Sequence, residues 1–251
     1  MPKPPKPEVV KIEPKSEPPK SVVVNDATVN VYAGLPPGAV QNLPLLASTV
    51  EAKWPNVPRP STLAGQIEQE TCISLTHSKC FTSRAELKTS REWGVSFGQF
   101  TIAYDAKGRE RFNAFEDVKK LDRELAAWQF SDRYNEKYGM MAFVVRMRSE
   151  FDWVKGAQDF TSQQAFALSG YNGGRGGVLQ DRRLCVATTG CNPNVWYGNV
   201  EKTSYKSRVA PKGYGQSLYN INRGYVDNVQ NKRSKKYIPF MMKALKCQTN
   251  C

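Results

Sequence analysis

Apolar positions fall into three regimes along the chain. Over residues 1–20, MPKPPKPEVVKIEPKSEPPK, Pro and Lys dominate. Such a stretch buries too little apolar surface to fold, and its composition predicts an extended or polyproline-like arm. Residues 21–34, SVVVNDATVNVYAG, carry short β-prone runs that suit a strand laid on a partner. Helical patterning then takes over. Ala47–Ala52 reads as a first helix turn, and Trp54–Pro60 as a proline-punctuated connection. Ser61–Glu70 reads as a helix that Ser61 or Thr62 caps. From Ala114 on, Val118, Leu121, Leu125 and Trp128 recur at helical spacing and predict one long helix. Gly139 marks a break before the buried helix MMAFVVRMR. Thr161 to Gln164 fits a capping box opening a helix that ends at Tyr171 and Asn172. Further helices are expected at Val178–Leu184, Leu218–Asn231 and Ile238–Leu245. The pattern therefore predicts a mainly α protein: an extended arm over 1–45, a helical domain over 46–246, and a cysteine-containing tail over 247–251.

One helix carries candidate chemistry. At about 100° per residue, Leu63, Ile67 and Glu70 share a face, while Glu68 lies about 140° from Leu63 and is expected toward solvent. A carboxyl group on an apolar face loses hydration, which disfavours its charged form and raises its pKa toward the range of a general acid. The competing reading is an ordinary helical Glu held by a cap or an ion pair.

Three further stretches join QETC at Glu70: SREWGVSFGQF at 90–100, ALSGYNGGRGGV at 167–178 and NINRGYVDNV at 220–229. In that order they resemble the motifs of the lytic transglycosylase family of the lysozyme superfamily, over about residues 60–240. Glu70 falls on the family's catalytic Glu, with Thr71 where a Ser is usual. Ser90 falls on the motif Ser, and Gln99 on the Gln that ends the glycine turn. Tyr171, Asn172 and Gly174 fall on the tyrosine motif; Tyr225, Val226 and Val229 fall on the late one. Trp93 and Ser96 replace the two usual glycines of the turn, with Gly94 and Gly98 one place off, and Arg175 replaces a common Pro.

The resemblance implies a lysozyme-like helical domain whose loops build a groove for peptidoglycan glycan strands. Glu70 would protonate the glycosidic oxygen between N-acetylmuramic acid and N-acetylglucosamine. Once ionised, it would take the proton of the muramic C6 hydroxyl, which attacks C1 and leaves a 1,6-anhydro end. The nucleophile belongs to the substrate, so neither a cofactor nor a second carboxylate is required. Tyr171 would position Glu70 or the N-acetyl group, and Ser90 and Gln99 would donate to the sugar. Asn172 and Tyr225 complete the expected substrate-binding set. The alternatives are hydrolysis of the same bond, as by a lysozyme of a conjugation or secretion machine or an endolysin, and a non-catalytic wall-binding protein of the same fold.

Charge and cysteines refine the setting. The 251 residues carry 36 Lys and Arg against 23 Asp and Glu, a net +13. Such a surface attracts anionic polymers in general and specifies no nucleic acid. KRSKK at 232–236 is the densest basic run and reads as a solvated face. No apolar run reaches transmembrane length, and MPKPPKPEVV lacks the apolar stretch of a Sec signal. Six cysteines fall into close pairs, Cys72 with Cys80, Cys185 with Cys191, and Cys247 with Cys251. Local bridging suits an oxidising destination. Cys72, His77 and Cys80 also form a sparse metal-ligand pattern without a fourth local ligand. With His77 the sole histidine, a Ser-His-Asp system is poorly supported. A wall-cutting domain with a Pro/Lys arm suggests delivery in a bacteriophage virion, in the tail or baseplate, to act in the periplasm. The arm would dock other virion or envelope-machine proteins.

Overall fold

The computed structural model describes residues 30–211 and 215–247. The compact unit runs from Val31. Helix α1 (Pro37–Lys53) opens it with Ala39, Leu43, Leu46 and Val50 buried. The expected boundary at 45/46 is thereby corrected, because the first apolar helical face begins at Ala39. The expected strand-prone run over 21–29 lies outside the described residues, while residues 31–34 form a turn.

Helix α2 (Ser61–Thr71) is buried from Ser61 to Glu68 and opens only in its last turn. Pro60 takes its N-cap position and no side chain caps it; Thr62 instead donates to Gln164 Oε1 at 3.2 Å. A small antiparallel sheet follows, in the order β1 (Glu86–Lys88), β2 (Glu92–Val95), β3 (Phe100–Tyr104) and β4 (Glu110–Asn113). No strand of it was expected. Its strands run three to five residues, too short for alternation to register.

The long helix expected from Ala114 is also corrected. Asn113 caps a short α3 (Ala114–Lys119), and Asp122 caps a separate 3₁₀ turn over Arg123–Ala127. Each cap side chain satisfies an N–H that a continuous helix would have bonded internally. Trp128 and Leu125 are buried as the spacing implied, whereas Leu121 is exposed.

Helix α4 (Glu136–Trp153) contains Gly139 in its first turn rather than starting after it. A Cβ there would meet Ser96 Oγ at 2.1 Å, so the glycine admits the β2–β3 turn against the helix. Helix α5 (Phe160–Gly173) is capped by Asp159, not by Thr161, and its residues 164–170 are all buried. A helix buried on every side is the core of a bundle, and α5 packs against α4, α6 (Arg175–Val186) and α7 (Leu218–Asp227). The chain leaves α7 through a wider π-type turn at Asn228–Arg233 and reaches α8 (Ile238–Leu245), which has the expected bounds. The architecture is mainly helical, with the sheet packed through Phe100, and α3 through Phe115, onto Trp128. No described helix is long and apolar enough to cross a membrane.

Candidate active site

Helix α2 ends at the site, and Gly65 allows it to lie where it does. A Cβ at Gly65 would meet the Ser234 backbone nitrogen at 2.7 Å. Glu68 anchors the same contact and corrects the expectation that it faces solvent. It is 1% exposed. Its carboxylate accepts from Arg233 at 2.6 Å, Lys236 at 3.1 Å and the Tyr237 hydroxyl at 2.5 Å. KRSKK is therefore not a free basic face. Arg233 and Lys236 neutralise Glu68, and Lys232 pairs with Asp227.

Two residues on, Glu70 emerges into a groove. It is partly open to solvent and packed by protein elsewhere. The Tyr225 hydroxyl donates a hydrogen bond to its Oε1. Burial pushes the carboxyl up to about 7, against the opposing pull of that hydrogen bond. Its place in the last turn of α2 acts in the same direction, because the carbonyl end of a helix disfavours negative charge.

The chain beyond Glu70 forms one wall. Thr71 Oγ1 donates to the Ile67 carbonyl at 2.6 Å and accepts from the Phe81 N–H at 2.9 Å. The Cys72–Cys80 disulfide closes the loop between, and a second bridge joins Cys185 and Cys191. Both match the expected local pairing. The third expected pair involves Cys251, which lies outside the described residues. Among the described residues no cluster of His, Cys, Asp or Glu has a metal-binding arrangement.

The β2–β3 turn forms the facing wall. Ser96 and Gln99 hold positive φ, 65° and 45°. Gln99 Nε2 donates to the Ala85 and Ser96 carbonyls at 2.9 and 3.1 Å. Its amide is thus committed to holding the turn, which corrects its expected role as a sugar donor, although the residue lines the groove. Gly98 lets Tyr171 approach: a Cβ there would lie 2.5 Å from the Tyr171 hydroxyl. That hydroxyl donates to the Gly98 carbonyl at 2.6 Å. Tyr171 thus braces the turn, and Tyr225, expected only in the substrate-binding set, is the tyrosine bonded to Glu70. Burial, then the Glu70 charge, raises the proton affinity of both phenols well above the usual tyrosine value.

Asn172 lines the groove beside Glu70 and accepts from Asn222 at 3.0 Å. Ser90 does not join the site. It sits exposed in the β1–β2 turn, outside the groove lining, because the hairpin directs that turn away. Trp196 packs in the core against Phe166, and the Tyr197 hydroxyl donates to Gln230.

Three cavities of about 420, 520 and 490 Å³ share lining residues. Glu70 and Asn172 belong to the first and second, and Gln99 and Tyr171 to the first and third. The three cavities therefore adjoin one another, and Glu70 lies where the first two meet. Sequence reasoning missed Glu86 and Glu92, which line the central cavity, and His77 and Lys79 of the disulfide loop. Glu86 is paired with Arg133 at 2.8 Å. No local sequence signal marks these residues, since short strands and a turn bring them to the wall. Comparison with protein-family models, curated proteins and solved structures found no match.

Proposed function

We propose that the protein is a glycan-cleaving enzyme of the lytic transglycosylase type, acting on peptidoglycan with Glu70 as its general acid and then its base. The observation that carries this reading is a carboxyl group held at about 7, touched by a buried tyrosine, where two adjoining cavities meet. A group with that proton affinity is populated in both forms at neutral pH and can give and retake a proton within one turnover. The Glu70 proton goes to the glycosidic oxygen as the C1–O bond breaks. The C6 hydroxyl of the same muramic residue attacks C1, and its proton returns to Glu70. Adjoining cavities that meet at the acid suit a polymer rather than a small molecule.

A second reading has its own support. Glu92 lines the cavity that holds Glu70 and, unlike Glu86, is not tied to Arg133, and a second carboxylate across a groove suits hydrolysis with an activated water. Mass spectrometry of digested peptidoglycan separates the two: 1,6-anhydro ends for the lyase, reducing ends for the hydrolase. No cleavage of purified sacculi at neutral pH would remove both. For the setting we favour delivery in a phage particle, on the Pro/Lys composition of the arm and two disulfides that suit an oxidising destination. Proteomics of purified virions from a producing host tests it.

A further inference from the structure

We propose that Gln66 is a positioning residue whose buried carboxamide holds the Tyr225 hydroxyl on the Glu70 carboxyl. The role rests on the reading of Glu70 as the proton donor. Gln66 is 0% exposed, and neither its side-chain nitrogen nor its oxygen has a well-formed hydrogen bond. A buried amide left in that state is costly, and Leu or Met of similar size would fill the site without the cost. The amide stands one helical turn before Glu70, on the same face of α2. It also lies within reach of the Tyr225 hydroxyl, whose proton affinity it lowers while burial, Glu70 and Tyr171 raise it.

The chemistry follows from donor counting. A phenol has one proton and spare lone pairs, and the Tyr225 proton is given to Glu70. Gln66 Nε2 has protons to give and no well-formed bond elsewhere, and the phenol oxygen lies within its reach. Donation into that oxygen makes the phenol a stronger donor in turn. A stronger donor favours ionised Glu70, the form that must retake a proton. It also fixes which carboxyl oxygen is occupied by Tyr225, leaving the other for the groove. Tyr171, His77, Lys79, Glu86 and Glu92 also line the Glu70 cavity, and Glu68 on the same helix is tied to Arg233 and Lys236. None of these contacts passes through Gln66.

The test uses the full chain. Gln66→Met keeps the length of the side chain and removes the amide. The Glu70 midpoint is read by NMR of carboxyl-labelled glutamate without substrate, and the alkaline limb of kcat/KM is read on sacculi. Both are expected to move up together by about half a pH unit. Tyr225→Phe should move them further, and Gln66→Met added to Tyr225→Phe should add nothing. A Gln66→Met protein with altered melting but an unmoved Glu70 midpoint, or shifts that simply add in the double variant, would overturn the proposal. Should Gln66→Met not fold, the wild-type protein decides. Slowly exchanging Gln66 amide protons with Overhauser contacts to the Tyr225 ring are expected; fast exchange without them overturns the role. The NMR midpoint needs no substrate, so inactivity on sacculi would sink the enzymatic reading separately.

Discussion

Glu70→Gln separates chemistry from stability in a way that few substitutions do. The carboxyl moves from an ordinary 4.5 to about 7 on folding. At about 1.36 kcal/mol per pH unit, that interval corresponds to roughly 3 kcal/mol. Glu70 is partly open to the groove, so solvent screening reduces the figure to about 1–2 kcal/mol. Because the folded-state value is raised, the stabilisation is fully present below about 4.5 and lost as pH rises through about 7. The neutral amide carries no such penalty and still accepts the Tyr225 hydroxyl. At pH 8 the variant should therefore be more stable than wild type by about 1–2 kcal/mol, or roughly 3–6 °C in melting temperature. At pH 4 the two should melt together. Activity on sacculi should fall by about 10²–10⁴-fold at every pH, since proton donation is lost. Paired thermal melts at pH 4, 6 and 8 with turbidity clearing make the measurement. A variant less stable than wild type at pH 8, or a gap that does not change with pH, would refute the account of Glu70 as a desolvated acid.

Other perturbations follow from the same contacts. Glu68→Gln leaves Arg233 and Lys236 without a counter-charge and should cost about 2–3 kcal/mol in urea melts, allowing for their partial exposure; an unchanged midpoint would show that the ion cluster contributes nothing. Gly98→Ala drives a Cβ against the Tyr171 hydroxyl and should cut activity at least ~10-fold by shifting the turn, whereas Ser90→Ala should leave kcat/KM unchanged. A chain starting at Val31 should melt as the full chain does. One starting at residue 46 loses the buried Ala39 and Leu43 and the Asn42 bond to the Phe81 carbonyl, and should be destabilised by more than ~3 kcal/mol; comparable melting of the two truncations would argue against α1 as core.

The sequence alone determined what depends on neighbours within a helical turn or a short loop. Periodicity located α5, α7 and α8 and placed Glu70 on the inner face of α2, and close spacing paired Cys72 with Cys80 and Cys185 with Cys191. These are local properties, since side chains three or four residues apart share a face in any helix. What the site does with Glu70 was decided by contacts distant in the chain. Tyr225 reaches Glu70 across 155 residues, and Arg233 reaches Glu68 across 165. Helical phase could say that Glu68 points away from Leu63, but not that a second layer of protein waits there with two cations. Tyr171 and Tyr225 are equivalent as letters, and only the packing of α5 and α7 on the β2–β3 turn and α2 assigns one to the Gly98 carbonyl and the other to the acid. The sheet escaped notice for a related reason. Its strands are stabilised by one another and by Trp128 beneath them, not by any pattern a three-residue strand can display.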